Sequence, residues 1–167
     1  MKQRQIVLAG GCFWGTEKFL SLIPGVIETE AGYANGKTEN PTYEEVCYEG
    51  TGHAEAVKVL YDEDAVALSR LLQIFFESID PTVLDRQGND TGSQYRTGIY
   101  FTENGDEQIA RNELSALQQK YDKKIVVELI KLENYTKAEE YHQKYLDKHP
   151  FGYCHIGRQT MEKAKKG

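Results

Sequence analysis

Ile6-Val7-Leu8-Ala9-Gly10-Gly11-Cys12-Phe13-Trp14-Gly15-Thr16-Glu17 joins an apolar run to two glycines, a cysteine and two aromatics. The first four residues read as a short buried strand. Phe19, Leu20 and Ile23 then mark the inner face of a helix. A cysteine therefore stands where a strand turns into a helix. Unpaired backbone N–H groups and the helix dipole favour a thiolate at that point. Phe13 and Trp14 suit the walls of a small apolar pocket beside the sulfur. The competing reading is a structural cysteine in a glycine turn. Turn, helix start and aromatics together favour a nucleophile.

Working outward, residues 26–33 read as a second strand closed by Asn35-Gly36, a strong turn signal. Residues 38–52 read as an irregular functional loop. Residues 53–61 alternate as a strand does, with His53, Glu55, Val57, Val59 and Tyr61 on one face. A helix is expected next, with Asp64 as N-cap and Leu68, Leu71, Leu72, Phe75, Phe76 and Ile79 inward, stopped by Asp80-Pro81. The polar connector 82–95 is long enough to suggest function. Strands are expected over 96–102 and 125–130, and helices over 104–121 and 137–148. This order points to one domain over residues 1–167, an α+β sandwich with helices against a mixed sheet.

The 167 residues suffice for one core, and 40% hydrophobic with 28% charged residues describes a soluble globular chain. No apolar run approaches the ~20 residues of a membrane span. The first residues lack a secretory apolar region, so a cytoplasmic location is expected. A net charge of −6 argues against nucleic acid as the main partner. The basic tail Lys163, Lys165 and Lys166 reads as a solvated terminus. Three cysteines are too few for a disulfide scaffold and fit intracellular thiol chemistry.

Glu55 is the second chemical signal, because the alternation puts a carboxylate among apolar neighbours. Raising a glutamate from ~4.3 to near 7 takes about 3.7 kcal/mol, which desolvation can supply. A nearby thiolate pushes the same way, and Cys12 and Glu55 would titrate as a coupled pair. Surface pairing of Glu55 with a lysine is the alternative. Loops offer Tyr43, Tyr95 and Asp90 as further polar groups. No metal-ligand spacing is present. A Cys-His hydrolase using Cys12 with His53 stays open.

Several blocks resemble the A-type methionine sulfoxide reductases: Gly10-Gly11-Cys12-Phe13-Trp14-Gly15, Asn40-Pro41-Thr42-Tyr43, Thr51-Gly52-His53-Ala54-Glu55-Ala56-Val57 and Asp80-Pro81-Thr82. Arg86-Gln87-Gly88-Asn89-Asp90, Gln94-Tyr95-Arg96 and Tyr141-His142-Gln143 extend the resemblance collinearly over nearly the whole chain. It implies a single-domain two-layer sandwich, an elaborated ferredoxin-like (split βαβ) fold with long functional loops. It also implies that Cys12 attacks the sulfoxide sulfur, that Phe13 and Trp14 hold the substrate methyl, and that Glu55 protonates the departing oxygen. Tyr43 and Tyr95 would bond that oxygen, and Asp90 would order the site and assist later thiol exchange.

By the same resemblance Gly152-Tyr153-Cys154 carries the resolving cysteine, while Cys47 reads as structural. Relatives with a glycine-rich tail carry a third, relaying cysteine; this chain continues His155-Ile156-Gly157-Arg158-Gln159. The expectation is a Cys12–Cys154 disulfide recycled directly by thioredoxin, or by dithiothreitol in vitro, with no metal or tightly bound cofactor. The implied protein is a monomer reducing the S-epimer of methionine sulfoxide in proteins and peptides and as the free amino acid. Two rivals are a cysteine amidohydrolase and a glutaredoxin-like module that has no use for Glu55.

Overall fold

In the computed structural model, which describes residues 1–167, the opening apolar run lies within a central strand, β1 (Gln3–Gly10). From Ile6 onward every residue of β1 is buried, because both faces of this strand are covered. Ile6 and Leu8 join the larger core cluster, whereas Val7 and Ala9 enter a smaller one on the opposite face. After β1 come α1 (Phe13–Ser21), β2 (Val26–Ala34), α2 (Tyr43–Tyr48), β3 (Ala54–Asp62) and α3 (Leu68–Phe76). The two-residue strands β4 (Arg86–Gln87) and β5 (Asp90–Thr91) form a small ribbon. The remainder is β6 (Thr97–Phe101), α4 (Asn104–Gln118), β7 (Glu128–Lys131), β8 (Tyr135–Lys137), α5 (Tyr145–Lys148) and α6 (Arg158–Lys166).

Six strands make one sheet in the order β7-β6-β1-β3-β2-β8. Within it, β1 is antiparallel to both β3 and β6, and β2 is antiparallel to β3. The inner four thus have the split βαβ arrangement implied by the resemblance. β7 adds parallel to β6 and β8 adds antiparallel to β2. Residues of α1, α3 and α4 share the larger core with one face of the sheet, including Phe19, Leu72, Phe75 and Ala110. Burying each large side chain there contributes about 1.5–3 kcal/mol.

Sequence periodicity misplaces several boundaries, each for a physical reason. The loop expected at 38–52 contains α2, started by a capping box. Thr42 Oγ1 accepts the Glu45 N–H at 3.2 Å, and Glu45 Oε1 accepts the Thr42 N–H at 2.9 Å. The helix expected from Asp64 begins at Leu68. Asp62 organises the preceding turn instead, accepting the Asp64 N–H at 3.0 Å. The helix expected over 137–148 becomes β8, a 3-10 turn at Glu140–His142 and the short α5. Tertiary bonds override local propensity there. Gln143 satisfies the edge of β2, donating to Ala31 O and accepting from Ala31 N, both at 2.8 Å. Lys144 then turns through a left-handed conformation at φ +50°. The basic tail is a helix, α6, with Ala164 buried and Met161 packed on the core.

Candidate active site

The strand-to-helix turn places Cys12 at the N-cap of α1, with 8% of its surface exposed. Gly11 makes the turn at φ +93°, and a Cβ there would come within 2.7 Å of Gln87 Cβ. Gln87 is itself fixed by a two-way bond to the backbone of Asp80, 2.9 Å each way. The β4–β5 ribbon is thereby held against the cysteine turn.

The helix start does not leave a free thiolate. Burial pushes the Cys12 thiol up, and the negative charges of Glu55 and Asp90 push it further. The N–H groups of Trp14 and Gly15 pull it down but are outweighed. The dipole acts through partial charges at one helix turn, whereas the sulfur is buried and faces two acids.

Glu55 points inward from β3 and is 1% exposed. Its Oε1 accepts the Phe13 N–H at 3.1 Å. Its Oε2 is buried and has no partner. Burial pushes the carboxyl up to about 8; the Phe13 N–H lowers it and the charge of Asp90 raises it. Glu55 is therefore mainly neutral at pH 7 and carries a proton to give. A protonated Glu55 removes one of the charges that oppose ionisation of Cys12, so the two groups titrate as a coupled pair. The placement inferred from β3 alternation holds.

Phe13 and Trp14 open an aromatic enclosure that the sequence only half discloses. Trp14 stacks on Tyr145, ring centroids 3.7 Å apart at 8°, and its Nε1 donates to His142 Nδ1 at 2.9 Å. The His142 ring lies 5.0 Å from Phe13 and 4.6 Å from Tyr43, centroid to centroid. Glu17, on the buried side of α1, accepts the Lys144 N–H at 2.8 Å and the Thr29 hydroxyl at 2.9 Å. It fixes the left-handed turn between His142 and Tyr145. Glu139 accepts the Tyr33 hydroxyl at 2.7 Å and the Tyr43 N–H at 2.9 Å. These holding residues escape a sequence reading because all but one of their partners lie about a hundred positions away. His142 and Gln143 stand in a quoted motif, which carries no sign of what they touch.

The loop candidates converge on the same place. Burial raises the Tyr95 hydroxyl first, then the charges of Glu55, Cys47 and Asp90. Burial likewise raises Tyr43, with neighbouring Cys47 and Glu55 pushing the same way. Asp90 Oδ2 is buried without a partner. Cys47 thus lies near the polar rim of the site. Cys154 lies on the other side of α1, where its Sγ comes within 3.0 Å of the point a Gly15 Cβ would occupy. His53 turns away: its Nδ1 pairs with Thr51 Oγ1 at 2.9 Å. The hydrolase rival thus loses the histidine it would pair with Cys12. The chain has no cluster of three His, Cys, Asp or Glu side chains able to hold a metal ion.

A hollow of about 690 Å³ lies between α3 and α4, lined by Arg4, Leu68, Asp106 and Glu113. It contains none of these converging groups. The cysteine, the neutral acid and the aromatic enclosure converge elsewhere, around the start of α1.

A family model described as "Peptide methionine sulfoxide reductase" matches residues 4–166. "Peptide methionine sulfoxide reductase MsrA" of Clostridium perfringens is 61% identical over 153 residues, covering 92% of this chain and 98% of its own. Among solved structures, Mxr1 from Saccharomyces cerevisiae in reduced form is similar at a TM-score of 0.87 and 36% identity, covering 92% of this chain and 89% of that one. Mxr1 in complex with Trx2 is similar at a TM-score of 0.61 and 28% identity, over 86% and 85% of the two chains.

Proposed function

The chain belongs to the A-type peptide methionine sulfoxide reductases, and on that premise we propose that it reduces the S-epimer of methionine sulfoxide, in proteins and as the free amino acid, through a sulfenic acid on Cys12. The observation that carries this reading is the neutral Glu55, with one oxygen bonded to the N–H next to Cys12 and the other unpartnered.

A sulfoxide oxygen departs poorly unless it is protonated. Glu55 supplies that proton as the Cys12 sulfur attacks the sulfoxide sulfur. Tyr43 and Tyr95, whose hydroxyls stay protonated, donate hydrogen bonds to the same oxygen, and Asp90 orders the site. The net change moves oxygen from the substrate to Cys12, giving the thioether and a sulfenic acid. Phe13 and Trp14 receive the S-methyl group. The Cys154 thiol then condenses with the sulfenic acid, releasing water and leaving a Cys12–Cys154 disulfide. Thioredoxin reduces that disulfide; a relative's capture in complex with Trx2 supports such a partner. The reaction needs no metal or resident cofactor.

Dithiothreitol-driven reduction of racemic N-acetylmethionine sulfoxide, followed by chiral chromatography, tests the reading. One epimer disappears and conversion stops near half. An acyl product, or loss of both epimers together, overturns it.

Two further results are expected. Trp14→Ala removes the ring stacked on Tyr145, so KM for the methyl sulfoxide rises roughly tenfold, about 1.4 kcal/mol of binding. A bulkier S-alkyl sulfoxide loses less; equal losses would assign Trp14 to the fold. Cys154→Ser makes about one methionine per enzyme, stalls as a sulfenic acid and loses thioredoxin-driven turnover, whereas Cys47→Ser turns over normally. Peptide mapping after substrate treatment finds a Cys12–Cys154 link. A Cys12–Cys47 link, which the position of Cys47 beside Tyr43 makes worth seeking, overturns the scheme.

A further inference from the structure

We propose that His155 is the general base of the recycling step, accepting the Cys154 proton as that sulfur attacks the Cys12 sulfenic acid. This rests on the assignment of Cys154 as the resolving thiol.

His155 Nε2 lies 2.9 Å from Gly10 O. A carbonyl only accepts, so Nε2 carries the hydrogen and Nδ1 presents a lone pair. Nδ1 is buried and has no partner. Cys154 Sγ and His155 Nδ1 come within 3.0 and 3.1 Å of the same point, the place a Cβ on Gly15 would take. Gly15 has no side chain, so thiol and imidazole share that space beside the first turn of α1, whose N-cap is Cys12. At rest the Cys154 thiol donates to Ile156 O at 3.4 Å, a weak bond to give up.

The surroundings suit the task. Burial pushes the Cys154 thiol up, so it ionises poorly unaided. Burial pushes the His155 imidazole down, keeping it neutral at pH 7, against an opposing pull from Asp90 on β5. Glu77 and Asp80 line the same hollow from beyond α3, and β4 contributes only the uncharged Gln87 with the adjoining Gly88. Tyr153 faces Asp90 from the same segment as His155, Cys12 stands at the N-cap of α1, and Lys18 of α1, Asp147 of α5 and Arg158 of α6 line the hollow on the Cys154 side. In the step, the Cys154–Cys12 sulfur bond forms and the Cys12 S–O bond breaks. The thiol proton passes to Nδ1 and then to the departing hydroxide, which leaves as water. Cys154 is oxidised, the Cys12 sulfenic acid is reduced, and no other reagent is consumed.

The test follows methionine release and disulfide formation separately, by acid quench and mass spectrometry, with the full chain and excess N-acetylmethionine sulfoxide but no reductant. Base assistance gives a disulfide-formation rate that is flat between about pH 7 and 8.5 and falls at pH values below the ordinary histidine range. Unassisted thiolate attack rises about tenfold per pH unit over that interval, and such a rise overturns the proposal. His155→Gln keeps an N–H for Gly10 O but has no base. Its methionine burst stays within about twofold of wild type, disulfide formation slows about 10²-fold or more, and the alkaline rise appears. Slowing of both steps alike overturns the proposal, and the wild-type profile decides it even if the variant misfolds. Peptide mapping separates the two levels: a Cys12–Cys47 link removes the resolving assignment, whereas a Cys12–Cys154 link formed with the alkaline rise removes only the role of His155.

Discussion

Cys12→Ser abolishes reduction of methionine sulfoxide, even with excess dithiothreitol. The substitution is mild for the fold, because residue 12 is the N-cap of α1 and serine is among the preferred N-cap residues. The volume changes little in a site where the side chain is nearly buried. What disappears is the chemistry. A serine oxygen is a weak nucleophile without an adjacent base, and the groups facing this position are two acids and two backbone N–H donors. Dithiothreitol cannot rescue the variant, since in the proposed scheme it acts only after Cys12 has taken up the oxygen. Chromatographic assay of methionine with equal amounts of folded wild type and variant checks the result. Measurable turnover in the variant would assign the attack to another residue.

Glu55→Gln slows a single turnover by about 10²–10⁴-fold, the usual worth of a positioned general acid. Glutamine still offers an oxygen to the Phe13 N–H, the bond that Glu55 Oε1 makes. It replaces the unpartnered Oε2, which the proposed mechanism needs as a proton source, with an amide that gives up no proton. A rate within about threefold of wild type would show that the proton comes from elsewhere. The same residue leaves a mark on stability. Its folded-state carboxyl titrates near 8, above its ordinary 4.5. The native state therefore holds a proton that the unfolded chain has released over this interval. Stability from this group is complete below about pH 4.5 and is lost as pH rises through 8. Thermal unfolding should accordingly show a decline from pH 6 to 9 that is shallower in Glu55→Gln.

The parts legible in the sequence share one property: their signal is local. The strand-turn-helix at Cys12 shows itself through five neighbouring residues, and the inward aim of Glu55 through the two-residue period of β3. The parts that were hidden depend on distant partners. Residues 137–148 have helical spacing, yet Gln143 bonds Ala31 and Lys144 bonds Glu17, neither of which local spacing reveals. The aromatic enclosure around Trp14 depends on those bonds and stayed out of reach with them. The thiolate expected at Cys12 was misjudged for a related reason. A helix start is visible in sequence, but the depth of burial and the two facing acids exist only after folding.

The sheet also tapers. Its inner strands β1, β2 and β3 run eight, nine and nine residues, while the outermost, β7 and β8, run four and three. Both outer strands end in lysine, Lys131 and Lys137. Short, charged margins are poor templates for another chain's backbone. Oxidised proteins lose packing and expose strands that seek a partner edge, and a repair enzyme must meet them repeatedly. Margins this short and charged offer such a strand no rim long enough to zip onto.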